Sequence, residues 1–490
     1  MLRVALGLAA CAMIFAAAFV WSGTPARVGF PLDDAWIHLV YARNLLAGHG
    51  LAYNPGQLET GLTAPLWTLL LVPLHAVAGT TDQIAWLVKL LGVSLLVTTA
   101  WLAARTLIAL QVTRVVALAS GFAIVADPHG MLGALSGMEV SLTGLLLVWL
   151  IHSLAHHDDR HAVVSMLLLP LARPEALFVV LAACVLLLRD RSRTRTSRDR
   201  WLLLAMPWLG WIAWCAYCLH VSGYALPSTF YAKASPSLAA WRHNATTLPT
   251  MLLSLGWLRF GIGALLCVWG GIVAWKPSDA LQESSRVAPR LLALSVPAYL
   301  FAVVVSQPLK EPLTFYWIRY VLPVAPASLM LIALGGDDLW SRLRTAGRRR
   351  LLLLVPSAML VAWFATVPRV IDHYAWSCRN IADINLSAAY WLRDHTARGT
   401  WVATNDAGAI AYFSDRPVLD LVGLNNHRVV HGHLQAEVAR TKPAYFAVFP
   451  SWFPVVDRDP RFRRVFVARA EHYVISSAKQ NELPVYRFDP

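Results

Sequence analysis

Charge is scarce in this sequence. Of 490 residues, only 14% are Asp, Glu, Lys or Arg, against roughly a quarter in an ordinary soluble domain. Acidic residues are the scarcer sign, 28 against 42 basic, while 57% of the chain is hydrophobic. That balance excludes a disordered chain and argues against a soluble enzyme. Cysteine is sparse too, at six. Cys11, Cys184, Cys215, Cys218 and Cys267 lie in apolar runs and Cys378 stands alone, so no disulfide framework is read. The Cys215/Cys218 spacing has no second pair and fits small helix residues. There is no GxxxxGK[ST] phosphate loop, no HExxH and no internal repeat or low-complexity tract.

What is present is a series of apolar runs near membrane-spanning length. The net charge of +14 is concentrated between them: Arg189, Arg191, Arg193, Arg195, Arg198 and Arg200 form one cluster, and Arg342, Arg344, Arg348, Arg349 and Arg350 another. This is the pattern of cytoplasmic loops rather than of nucleic-acid binding. Taking 4–22 as a retained first span, the expected spans lie near 82–106, 112–127 and 133–153. The stretch 162–188 follows, a pair of short helices broken at Arg173-Pro174 because proline cannot continue the backbone ladder. Later spans lie near 201–220, 250–275, 289–306, 318–336 and 350–367. The sum is about eleven spans, a mostly α, polytopic helical domain with an outside C-terminus. Basic residues on the expected inner segments outnumber those on the outer loops more than three to one. Segment 65–78 is too short for a span and is read as an outer-face juxtamembrane helix.

From about residue 369 no run is long enough to span. The expected division is therefore a transmembrane domain, 1–368, containing an outer loop at 23–81, and an extracytoplasmic α/β domain, 369–490. In the latter a helix is expected at 383–397 and another after Asn405-Asp406. Strands are expected at 401–404, 417–421, 444–449, 463–468, 472–476 and 484–488.

Ionisable residues within membrane spans are functional candidates. Lys89, Glu139, Arg173, Glu175, Arg259 and Arg319 lie within or at the ends of spans, all on the expected outer side, beside the alternative of snorkelling or structural ion pairing. Together they suggest an outward-opening polar cavity that accepts an anion. In loop 23–62, residues 35–47 have helical apolar spacing. Asp33 or Asp34 could simply cap that helix; equally, adjacent carboxylates suit general-base work, one accepting a proton while the other orients it. His156, His157, Asp158, Asp159 and His161 are read as a solvated turn, since they lack metal-site spacing.

Asp33-Asp34-Ala35, Tyr41-Ala42-Arg43-Asn44 and Gly48-His49-Gly50-Leu51-Ala52-Tyr53-Asn54-Pro55-Gly56 resemble the first outer loop of the GT-C glycosyltransferases, and most of all the group of the mycobacterial terminal arabinofuranosyltransferase. Lipid A aminoarabinose transferase and protein O-mannosyltransferases are more distant relatives. Ser136-Gly137-Met138-Glu139, Arg173-Pro174-Glu175, Thr229-Phe230-Tyr231-Ala232-Lys233, Arg319-Tyr320 and the tail pieces 403–408 and 420–424 also resemble that group, in order along most of the chain. The chain departs from it at Glu59-Thr60-Gly61, where the family often has a Glu-Gly pair.

The resemblance implies a membrane glycosyltransferase taking a sugar, arabinofuranose being the nearest hint, from a polyprenyl-phosphate donor. The acceptor would be a glycan, glycolipid or protein of a bacterial cell envelope, at the outer face of the cytoplasmic membrane. Asp33 would be the base and Asp34 would position the acceptor or Asp33. Lys89, Arg173, Lys233, Arg259 and Arg319 would hold the donor phosphate. Arg43, His49, Glu139, Glu175 and Tyr231 would contact substrate. A divalent metal between Asp33 and Asp34 is compatible with the sequence but nothing demands one. The competing reading is a lipid or solute transporter or flippase, which would more often show paired broken helices and charges at the midplane.

Overall fold

The computed structural model describes the chain apart from residues 1, 191–196, 235–236, 256–260, 277–285, 308, 310–313, 344–345, 476–480 and 490. The first apolar run forms α1 (Leu2–Val20). The polar stretch after it is short helices and turns: α2 (Thr24–Val28), α3 (Asp34–Leu46), a two-stranded hairpin of β1 (Ala52–Asn54) and β2 (Gln57–Leu58), and α4 (Pro65–Val77). The apolar series resumes with α5 (Thr81–Ala109), α6 (Arg114–Ala126), α7 (Pro128–Leu135) and α8 (Val140–Ala155). Helices α6 and α7 meet at 52°, because Asp127 leaves the helical conformation and its carboxylate accepts the Gly130 N–H at 2.7 Å. The span expected at 133–153 thus starts only at Val140, its first residues belonging to α7.

The break at Arg173-Pro174 is present: α9 (Asp159–Ala172) ends there, one 3₁₀ turn (Pro174–Ala176) follows, and α10 (Leu177–Arg189) leaves. Next come α11 (Ser197–Leu204), α12 (Met206–Ser222), α13 (Ser228–Lys233), α14 (Leu238–Ser254) and α15 (Ile262–Trp275). The single span expected at 250–275 is therefore corrected to the end of one helix and the whole of another. Gly261 has φ of 72°, a left-handed conformation that starts α15 afresh. The remaining apolar helices are α16 (Val287–Ser306), α17 (Phe315–Ile318), α18 (Ala325–Arg342) and α19 (Ala346–Asn380).

Four helical segments among the described residues are long and apolar enough to cross a membrane, and the bent α6–α7 pair makes a fifth. The expected total of about eleven adds shorter apolar helices such as α8 and α15, of 16 and 14 residues. The chain is a multi-pass membrane protein, with α5 at the centre of contacts to α1, α6, α7 and α8.

Helix α19 runs unbroken through residue 368, then through a π-helical stretch at 381–386 into α20 (Ser387–His395). The C-terminal unit continues with β3 (Val402–Thr404), α21 (Ala409–Phe413), β4 (Val418–Asp420), α22 (His427–Val430), α23 (Leu434–Thr441), β5 (Tyr445–Ala447), β6 (Phe462–Arg469) and β7 (Glu482–Phe488). Its five-stranded sheet has the order β4-β3-β5-β7-β6, with β3 parallel to β4 and β5, and β7 antiparallel to β5 and β6. The strand expected at 472–476 is not formed over 472–475. Asn380 at the end of α19 takes up this backbone instead, donating to the His472 carbonyl and accepting the Val474 N–H at 2.8 Å.

Candidate active site

Asp33 and Asp34 open α3 but face different ways. Asp33 makes no side-chain cap. Its carboxylate accepts the backbone N–H of Gly408 at 2.6 Å and of Ala409 at 2.7 Å, at the start of α21. Burial, and then the neighbouring Asp406, push its proton affinity well above the usual carboxylate range. Asp34, one residue on, turns into an open cavity. There its Oδ2 accepts from Arg319 Nη2 at 2.7 Å and from Lys233 Nζ at 3.3 Å. Burial alone would raise its pKa, but the two cations outweigh burial and hold it well below the usual range. Lys233 is held charged by the same pair.

The broken turn between α9 and α10 delivers a second charged group to this cavity. Arg173 Nε lies 3.3 Å from Glu139 Oε1 and 3.6 Å from Glu175 Oε2. Its Nη1 donates to the Arg319 carbonyl at 3.1 Å, tying the two groups together, and Tyr320 lies under both guanidinium groups. Gln307, at the end of α16, donates to Glu175 Oε1 at 2.6 Å. His38, one helical turn after Asp34, hydrogen-bonds Thr68 at 2.9 Å and is kept neutral by burial. The opposite wall is apolar, formed in part by Leu177, Phe178, Trp211, Trp241, Ala302 and Val305. Phe178 and Trp241 are each 38% exposed, so the apolar wall reaches the outside of the helix bundle.

Six of the sequence candidates thus share one cavity: Asp34, Glu139, Arg173, Glu175, Lys233 and Arg319. None of the other candidates that the structure describes lines it. Lys89 is buried, but its ammonium donates to the carbonyls of Ala26 and Arg27 at the end of α2, which a five-residue helix leaves without internal partners. Arg43 donates to the Tyr412 carbonyl at 3.0 Å and lies over that ring, a contact with α21. His49 is exposed on the turn before β1. Tyr231 packs edge-on to Tyr224 and His431 beside the cavity. Arg259 lies outside the described residues.

His38 and Gln307 line the cavity without having been singled out, and Thr229 and Tyr320, quoted only as parts of the resembling pieces, line it too. His38 was findable, since position i+4 from Asp34 falls on the same face of α3. Leu424 also lines it, from the C-terminal unit. Leu424 ends the tail piece 420–424 that carries part of the resemblance, but was not named as a site residue; its loop is folded over Asp420, whose carboxylate accepts the N–H groups of Val422, Gly423 and Asn425.

The divergence of Asp33 and Asp34 does not fit a metal held between them: one carboxylate is spent on backbone N–H groups and the other on two cations. Among the described residues no group of three or more His, Cys, Asp or Glu side chains could hold a metal ion.

Comparison with solved structures places this architecture. ArnT from Cupriavidus metallidurans bound to undecaprenyl phosphate superposes with a TM-score of 0.61 at 12% identity, over 98% of this chain and 97% of that one. The oligosaccharyltransferase AglB from Archaeoglobus fulgidus, in complex with an inhibitory peptide and a dolichol-phosphate, gives 0.59 at 11% identity, over 98% and 75%. The arabinofuranosyltransferase AftD from Mycobacteria gives 0.54 at 14% identity, over all of this chain but 40% of that one. These identities speak to fold alone, and the fold is of the GT-C type. A family model described as a domain of unknown function (DUF8728) matches residues 379–486, the C-terminal unit. Comparison with curated proteins gives no match.

Proposed function

We propose that the chain is a membrane glycosyltransferase that moves a sugar from a polyprenyl-phosphate donor to an acceptor hydroxyl. The observation that carries this reading is Arg319. It is 2% exposed, lines the cavity beside Asp34, and its Nε and Nη1 groups have no hydrogen-bond partner. Buried N–H groups of a cation left unpaired are costly, and an anionic ligand would satisfy them. A phosphate at this depth, with its prenyl chain along the apolar wall, suits both halves of the cavity. The lipid phosphates named with ArnT and AglB belong to that class.

In this reading Asp34, rather than Asp33, is the base. Donor phosphate draws Lys233 and the free N–H groups of Arg319 towards itself, which loosens the hold on Asp34 and raises its basicity. Asp34 then takes the acceptor hydroxyl proton as the acceptor oxygen bonds to the anomeric carbon. The carbon–oxygen bond to phosphate breaks, and its electron pair leaves with the polyprenyl phosphate. That leaving group is already an ionised phosphate, so no strong general acid is needed; positioning and charge stabilisation supply the rate. Asp33 acts through Asp34, fixing the start of α3 on the C-terminal unit. Residues 1–368 would form the transmembrane catalytic domain and 369–490 an extracytoplasmic domain, in a bacterial cytoplasmic membrane, acting on a cell-envelope acceptor.

The test is mass spectrometry of lipids that co-purify with the wild-type protein and with Asp34→Asn from native membranes. A polyprenyl-phosphate sugar enriched on the variant is expected. A different lipid or a solute on both proteins would favour transport.

A further inference from the structure

The cavity has two poles, Asp34 with Lys233 and Arg319, and Arg173 with Glu139 and Glu175, and the second has unmet hydrogen-bonding capacity of the opposite sign. Glu139 and Glu175 are 2% and 4% exposed. In each, Oε1 is engaged, by Arg173 and by Gln307 respectively, while Oε2 has no hydrogen-bond partner. The neutral His38 lies 3.9 Å from Glu139 Oε2 and Arg173 lies 3.6 Å from Glu175 Oε2, both beyond hydrogen-bond reach. The amide oxygen of Gln307 and the hydroxyl of the buried Thr229 are also without partners. All four residues line the same cavity. The unmet groups at Glu139, Glu175 and Gln307 can only accept.

A ligand that satisfies them must bring hydrogen-bond donors. It must also carry no negative charge at this end, since two carboxylates face a single guanidinium there. We infer that Glu139, Glu175 and Gln307 form the subsite for the transferred sugar, reading the hydroxyl hydrogens of a glycosyl group that carries no negative charge and rejecting an acidic one. This rests on the donor reading above and adds what that donor carries. Arg173 joins the poles: it pairs with Glu139 and Glu175 through Nε and reaches the Arg319 carbonyl through Nη1. The sugar end and the phosphate end are thereby held at a fixed separation. Carboxylate–hydroxyl bonds in a dry site are charge-assisted, and donor-for-acceptor matching of this kind discriminates strongly against a ligand that lacks the hydroxyl.

The experiment compares binding of three lipids to the full chain in nanodiscs: decaprenyl phosphate, decaprenyl-phosphate arabinofuranose or mannose, and the same lipid bearing a uronic acid. The wild type should bind a neutral glycosyl lipid about tenfold more tightly than decaprenyl phosphate, and the uronate more weakly than either. Glu139→Gln, Glu175→Gln and Gln307→Leu should each remove most of the tenfold advantage while still binding decaprenyl phosphate, which also shows that the cavity is folded. Equal binding of bare and glycosylated lipid by the wild type, unimpaired binding of the uronate, or an advantage that survives in all three variants overturns the subsite while leaving the phosphate pole standing. Failure of the wild type to bind decaprenyl phosphate at all overturns both readings.

Discussion

The Asp33 carboxylate accepts the backbone N–H of Gly408 at 2.6 Å across 375 residues of sequence. A β-carbon built on Gly408 would lie 2.0 Å from the Asp33 carbonyl oxygen. The outer loop and the C-terminal unit therefore meet backbone to backbone, one residue from the carboxylate that faces the cavity.

Removing this contact should unseat the C-terminal unit. Asp33→Ala leaves two buried N–H groups without acceptors, at a cost of about 1–3 kcal/mol each. Asp33→Asn keeps one acceptor oxygen and should lose less. Gly408→Ala should behave at least as badly as Asp33→Ala, because neither backbone can retreat. Limited proteolysis of residues beyond 395, alongside thermal unfolding, checks the order.

Asp34→Asn should abolish transfer while sparing donor binding. General-base contributions are about 10²–10⁴-fold, so a fall in kcat of at least about a hundredfold is expected. Two cations released from Asp34 become freer for phosphate, so lipid-phosphate affinity should hold or rise. Single-turnover kinetics with separate lipid-binding measurements tests both halves.

Arg319→Lys should not behave as a conservative change. A lysine keeps the charge but cannot serve Asp34 and a phosphate at once from a planar group. Donor KM should rise and kcat should fall together. Lys233→Met, at a more exposed position, should act mainly on KM.

Gly61→Ala tests the other seam between the two parts. Its added methyl would lie 2.5 Å from Asn425 Oδ1, 2.6 Å from the Tyr41 hydroxyl and 2.7 Å from the Leu424 carbonyl oxygen. Since Leu424 lines the cavity, acceptor KM should move more than bare-lipid affinity.

Acid should tighten the docking of the C-terminal unit. Burial raises Asp406 to about 6, and its neighbours Asp33, Asp34 and Asp420 bring further acidic groups, with Asn385 donating to it at 2.7 Å. Burial raises Asp33 and Asp420 as well. A carboxylate with a raised folded pKa binds its proton more tightly in the folded state, so stability increases as pH falls through that value towards 4. His427 is raised by its hydrogen bond to Glu59 at 2.9 Å; its contribution is present below the unfolded value and lost as pH rises through the folded one. Both have the same sign between pH 8 and pH 5. The Tm of the wild type relative to Asp406→Asn should therefore rise as pH falls from 8 to 5, a difference in which the buried neutral histidines such as His38, whose own sign is the opposite, cancel.

The helical architecture was legible because apolar run length and proline position act locally. Arg173-Pro174 broke the helix pair where the sequence placed the break, and Asp158 caps α9 in the His/Asp stretch that was read as a solvated turn. The sheet strands were legible for the same reason, save at 472–475, where a single distant asparagine side chain decides the backbone. In the cavity, charge in an apolar context located Glu139, Arg173, Glu175 and Arg319, while Asp34 came from the paired carboxylates of the outer loop and Lys233 from the family resemblance. It could not separate Lys89, which is equally buried but spent on carbonyls, from Arg319, which is not. Nor could it tell which of two adjacent aspartates turns inward, since that depends on α21, hundreds of residues away. Composition reports which groups are costly to bury; only long-range contacts report which of them are already satisfied.

Helix α19 has 35 residues, which makes it about 52 Å long, against about 30 Å of hydrocarbon in a bilayer. Running straight on into the C-terminal unit, it acts as a mast whose height and phase are set by residue count. Adding one residue would lift whatever it carries by about 1.5 Å and turn it by about 100°. Gly408 would then swing away from Asp33, and Leu424 from the cavity rim. Substitutions on the exposed face of the mast should be cheap, insertions and deletions ruinous, and natural variation in its length should come in whole turns or not at all.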